Sequence, residues 1–72
     1  MTEKNMLGIT IKKARKHKRL KQAQLADITK LSRSYISDIE NGRYSPSIET
    51  LSKIAVCLDI DLNILKMTEI QV

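Results

Sequence analysis

Apolar residues recur along this chain mostly three and four positions apart, the spacing that puts them on one face of a helix. Leu7, Ile11 and Ala14 open the pattern and predict a first helix from about Leu7 to Lys18. Leu25 and Ala26 mark a second, from about Gln22 to Thr29. Ile36 and Ile39 mark a third, which follows Ser32 and runs to about Asn41. Leu51, Ile54, Ala55 and Leu58 make an i, i+3, i+4, i+7 stripe on a fourth helix beginning near Ser47. Asp61 is placed to cap a short fifth helix containing Leu62 and Leu65. The punctuation agrees with this division. Ser32 is an N-cap residue type, Gly42 is a natural stop in a left-handed conformation, and Glu49 puts a negative charge in a first turn. Arg43-Tyr44-Ser45-Pro46 reads as a loop. No segment shows the alternation of a strand; Ile70 and Val72 alternate over too short a stretch to count. The expected architecture is all-α with five helices, a single domain over 1–72 with its core at about 7–65. A short N-terminal arm and a C-terminal tail flank that core.

The second and third helices stand out as a pair. Only a few residues separate them, Ala26 is small where they would touch, and Ile36 and Ile39 are spaced to face that contact. The outer face of the third helix then carries Arg33, Ser34, Ser37 and Asp38. Such a pattern predicts a helix-turn-helix that offers its second helix to the major groove of DNA.

Composition sharpens this expectation. A chain of 72 residues has a small core, and metals, disulfides or oligomerisation commonly support such cores. One cysteine, Cys57, excludes an internal disulfide, and one histidine, His17, has no evident second ligand, which argues against a structural metal. Dimerisation remains. The net charge of +5 is uneven. Residues 1–21 carry eight Lys or Arg against Glu3, whereas residues 47–72 carry Lys53 and Lys66 against Glu49, Asp59, Asp61 and Glu69. A basic front beside a helix-turn-helix favours a polyanion over simple solvation of Lys12, Lys13, Lys16 and Lys18. No apolar run is long enough to span a membrane, and MTEKNM lacks the apolar stretch of a signal peptide. The cytoplasm is the expected location and no membrane contact is expected. The serines from Ser32 to Ser52 have no nearby histidine base, Glu40 and Glu49 form no acid/base pair, and there is no glycine-rich phosphate loop. These absences argue against an enzyme and against any cofactor.

Gln22 opening its helix, Leu25-Ala26 within it, Ile36-Ser-Asp-Ile39-Glu40-Asn41-Gly42, Pro46-Ser47 and Leu51…Ile54-Ala55…Leu58 together resemble the lambdoid phage repressor and Cro family. That group includes small bacterial regulators of the xenobiotic-response-element type. The resemblance covers about Leu7 to Leu65 and implies a sequence-specific regulator, most simply a repressor of a phage or mobile element. It would bind a palindromic operator in double-stranded DNA as a homodimer. In that frame Arg33, Ser34, Ser37 and Asp38 meet base edges. Arg33 has the fork for guanine; Asp38 either accepts from a cytosine amine or orients Arg33 by an ion pair. The phosphate contacts implied are Gln22, Lys21, Asn41 and Arg43. Tyr35 either donates to phosphate or packs against Pro46, while Tyr44 is a loop packing residue. Lys4 would belong to an arm reaching around the duplex. Arg15 and Glu40 match a buried structural ion pair of the family. The implied dimer surface is Ile60, Leu62, Ile64 and Leu65, with Val56 nearby, and Ile70 and Val72 available to cover the partner.

The sequence departs from that family at three positions. Lys21 stands where a Ser or Thr commonly caps the second helix, and Arg19 and Lys30 stand where glycines commonly end the first two helices. A left-handed backbone at Arg19 or Lys30 would cost roughly 1 kcal/mol each. A different function is also open to this fold: an antitoxin or interaction module working through a protein antagonist. Ile28 favours it, because a charged residue usually occupies that position of the second helix.

Overall fold

A computed structural model of the protein describes residues 3–60. Four helices follow in order: α1 (Glu3–His17), α2 (Gln22–Thr29), α3 (Arg33–Glu40) and α4 (Ile48–Leu58). Among the described residues there is no strand. The expected fifth helix, with Asp61, Leu62, Ile64 and Leu65, and the tail with Ile70 and Val72, lie outside the described residues. None of the described helices is long and apolar enough to cross a membrane.

The second helix spans the residues its apolar spacing predicts. The first is longer than its spacing predicts, since α1 already includes Glu3 and Lys4. Residue 4 therefore stands in a helix and not in an extended arm. Apolar periodicity could not find these first residues, because Glu3, Lys4 and Asn5 are all polar in sequence and Met6 is half exposed.

The stripes meet in one core. Ile11, Leu25, Ile36, Ile39 and Ile54 are fully buried, with Leu7, Ala26, Leu51, Ala55 and Leu58 around them. Ala14, Leu20, Leu31, Tyr35, Cys57 and Ile60 pack partly against it. Thr29 is a buried polar residue, and its hydroxyl donates to the Leu25 carbonyl at 2.7 Å.

All four helices end in the same way. A left-handed residue follows the last turn: Arg19 (φ 58°), Lys30 (φ 61°), Gly42 (φ 74°) and Asp59 (φ 57°). Two backbone bonds close each reversal, the pattern of a Schellman cap. After α1, Leu20 N–H donates to the Arg15 carbonyl at 3.1 Å and Arg19 N–H to that of Lys16 at 2.9 Å. After α3, Arg43 N–H donates to Asp38 at 2.8 Å and Gly42 N–H to Ile39 at 3.1 Å. Leu31 and Ile60 donate likewise to Ala26 and Ala55, each at 2.9 Å. The residue beyond the left-handed position is apolar and half-buried at three ends: Leu20, Leu31 and Ile60. The fourth is Arg43, which is exposed. Lys18 forms an ion pair with Asp59 that ties the end of α1 to the end of α4.

Arg19 and Lys30 thus hold the conformation that glycine adopts without strain. Arg19→Gly and Lys30→Gly are each expected to leave stability unchanged or raise it by up to about 1 kcal/mol, because relief of strain competes with the greater freedom of glycine when unfolded. Denaturant melts check this, and a clear loss of stability in both variants would contradict the left-handed turns.

Candidate nucleic-acid interface

Capping builds the interface before any side chain reaches out. Ser32 is extended (φ −80°, ψ 153°) and its hydroxyl accepts the Tyr35 N–H at 3.0 Å, which fixes the start of α3. At α2 the cap residue is Lys21, whose side chain accepts nothing; instead the Gln24 side-chain oxygen accepts the Lys21 N–H at 2.8 Å. The N-terminus of α2 therefore keeps free backbone donors, which attract anions, with the exposed Lys21 beside them.

Ile36, Ile39 and Glu40 point α3 inwards, leaving Arg33, Ser34, Ser37 and Asp38 on its outer face. These four residues line an open polar groove of about 300 Å³ together with Gln22 and Arg43. Two of the phosphate contacts implied by the sequence thus share one concavity with all four base-contact residues. Tyr35 stands apart, half-buried, its ring edge-on to Tyr44 with centroids 5.1 Å apart. Asn41 turns its amide nitrogen back to α3, donating to the Ser37 carbonyl at 2.8 Å and to the Ser37 hydroxyl at 3.3 Å.

A buried polar cluster sits behind the groove. Arg15 Nε donates to Glu40 Oε2 at 2.7 Å and Arg15 Nη2 to Oε1 at 3.1 Å. The side chains are 9% and 1% exposed, so this is an interior pair. Arg15 Nη1 also donates to the Leu20 carbonyl at 2.7 Å, and Gln22 Nε2 donates to Glu40 Oε1 at 3.1 Å. The cluster therefore fixes the end of α1, the entry to α2 and the last turn of α3 to one another. It also sets the orientation of Gln22. An ionised carboxylate only accepts, so the amide nitrogen must face Glu40, leaving one N–H and the carbonyl oxygen for other partners. Sequence reasoning gave Gln22 no role in this cluster.

Asp38 pairs with Arg43, Oδ1 to Nη1 3.5 Å. The ion pair weighed from the sequence was with Arg33, and the structure replaces that partner. The cause is the reversal after α3, which folds residue 43 back beside residue 38. A glycine stop four residues after an acid was the available signal.

Elsewhere, His17 is exposed as expected. Ile28 and Val56 are 57% and 74% exposed and flank an apolar groove of about 550 Å³ between α2 and α4. Of the expected dimer residues, Val56 is at the surface, whereas Ile60 is half-buried against the chain's own core.

The helix-turn-helix family model matches residues 11–65. This chain belongs to the helix-turn-helix family. A relative of this helix-turn-helix chain is the ImmF control region 10 kDa protein of Bacillus phage phi105, 57% identical over 72 residues, which are all of this chain and 80% of that protein. The immunity repressor protein of the same phage is 47% identical over 57 residues, 79% of this chain and 40% of the repressor. Among solved structures, the restriction-modification controller protein C.AhdI of Aeromonas hydrophila superposes with a TM-score of 0.81 at 32% identity, over 88% of this helix-turn-helix chain and 91% of its own. These relatives carry the names of regulators and not of enzymes.

Proposed function

We propose that the protein is a repressor of a phage or other mobile element, binding a palindromic operator as a homodimer. At the coarser level it is a DNA-binding transcription regulator and not an enzyme. The observation that carries the finer reading is the single groove that joins the outer face of α3 to the N-terminus of α2. Arg33, Ser34, Ser37 and Asp38 would read base edges there, while Gln22, Lys21 and Arg43 hold phosphates. Gln22 would offer its remaining N–H, aided by the free donors of α2. Asn41 and Tyr35 would be weaker phosphate partners, given where their side chains already bond and pack. Val56, with Leu62, Ile64 and Leu65 beyond the described residues, would carry much of the dimer contact, and Ile60 less. One short recognition helix reads too few bases alone, which is why a second copy is needed. The whole of 1–72 would act as one domain, in the cytoplasm where the operator lies.

A second reading has its own support. The exposed apolar groove of Ile28, Val56 and Cys57, rimmed by Lys30 and Lys53, would suit a protein antagonist with an acidic, apolar segment.

Selection from a random duplex pool, followed by footprinting, tests the first reading. Two symmetric protected patches are expected, with half-site centres about 10 base pairs apart. A single asymmetric patch at saturating protein would reject the dimer, and failure to select any duplex would pass the function to the second reading. Arg33→Ala should cost about 1–3 kcal/mol on the selected site and relax preference at one base pair per half-site. An equal loss on every sequence would make Arg33 a phosphate contact, with readout reassigned to Ser34, Ser37 and Asp38.

A further inference from the structure

Asp38 is the one carboxylate among the residues lining the groove, beside two guanidinium groups, Arg33 and Arg43. A negative charge there repels the phosphates of a bound duplex, so on electrostatics alone it weakens binding. In the free protein that charge is held by Arg43 at 3.5 Å. The approach is built by the backbone: left-handed Gly42 and the bond from Arg43 N–H to the Asp38 carbonyl return the chain to the end of α3. The three other helix ends place a half-buried apolar residue at the same step, and only this one places a charged side chain there. The Arg43 and Asp38 side chains are 70% and 43% exposed, and an exposed pair of this kind is weak and readily exchanged.

We propose that Asp38 and Arg43 form one specificity device, in which Arg43 is released to a phosphate only when a base-edge amine takes its place at Asp38. The amines with this chemistry in the major groove are cytosine N4 and adenine N6. Opposite such a base, the carboxylate accepts from the amine and the freed guanidinium reaches the backbone. Opposite guanine O6 and N7 or thymine O4, Asp38 meets an acceptor and keeps Arg43. The wrong base then forfeits two interactions, one of them a phosphate contact that itself carries no sequence information. This inference rests on the DNA-binding reading above.

Titrations of wild type, Asp38→Asn, Asp38→Ala, Arg43→Ala and the Asp38→Asn/Arg43→Ala double variant test it. The probes are the selected duplex, its single-base variants and a random-sequence duplex, over a salt series. Both Asp38 variants should tighten binding to random duplex by about two- to fivefold, the factor a weak exposed pair withholds. They should also narrow the ratio of selected to random affinity. In the Arg43→Ala background that gain should shrink to what removal of the Asp38 charge alone supplies, because the rest of it is the release of Arg43. Arg43→Ala should lower the salt slope by about 0.9 per protomer on the selected site and leave it nearly unchanged on random duplex. An unchanged ratio in both Asp38 variants overturns the device, as does an equal gain with and without Arg43. Both outcomes leave the DNA-binding reading intact. A wild-type chain that selects no duplex overturns that reading and the device with it. Melts of each variant exclude misfolding as the cause.

Discussion

Arg15→Met or Glu40→Ala should each lower folding stability by about 3–5 kcal/mol, because either leaves an interior charge without its partner. The cluster around them makes the loss more than that of one pair. Without Arg15, the Leu20 carbonyl loses a donor, and Glu40 keeps only the Gln22 amide. Without Glu40, the Arg15 guanidinium keeps only the Leu20 carbonyl, and Gln22 is released. The double change Arg15→Met/Glu40→Leu should recover much of the loss, since matched apolar residues need no solvation. Recovery stays incomplete, because Leu20 and Gln22 still lose their partners and an unmet polar group costs about 1–3 kcal/mol where water is excluded. Urea melts of the singles and the double make the comparison. Singles that melt with the wild type would show that the pair contributes nothing in solution.

Gly8→Ala is the second large effect expected. Helix propensity alone favours alanine by about 1 kcal/mol in a helix interior. At this position packing opposes it. A Cβ on residue 8 would lie 2.5 Å from the carbonyl oxygens of both Ile39 and Glu40. Those atoms belong to backbone and cannot swing aside as a side chain would. Helices α1 and α3 must therefore separate, at a net cost of about 1–3 kcal/mol or more. The separation would also disturb Glu40, so loss of DNA binding should accompany loss of stability. An unfolding midpoint at or above that of the wild type would mean that the two helices are not in contact at residue 8.

The apolar register, the cap at Ser32 and the stop at Gly42 were legible because each depends on a few neighbouring residues, whereas the left-handed turns at Arg19 and Lys30 were legible only through the family resemblance. The position of α2 followed from Leu25, Ala26 and the residues around them. Contacts that depend on how helices cross were not legible. Gly8 was passed over, although an isolated glycine within a helical stripe is a signal of close approach. The partner of Gln22 depends on where the last turn of α3 falls against the first residue of α2. Arg15 and Glu40 were paired through family resemblance, not through spacing, since 25 residues separate them. The left-handed Asp59 was missed because aspartate there reads equally well as a surface residue of α4.

The four helix ends also bear on how quickly the protein becomes usable. Each change of direction is closed by bonds between residues three and five apart, so the chain need not hold distant segments together while its course is set. Small helical domains dominated by such short-range contacts fold in microseconds to milliseconds. Synthesis of 72 residues at about 5–20 residues per second takes several seconds. On these general rates, folding of a single copy adds little to the seconds its synthesis takes, and the proposed pairing of two copies is the slower step left to concentration.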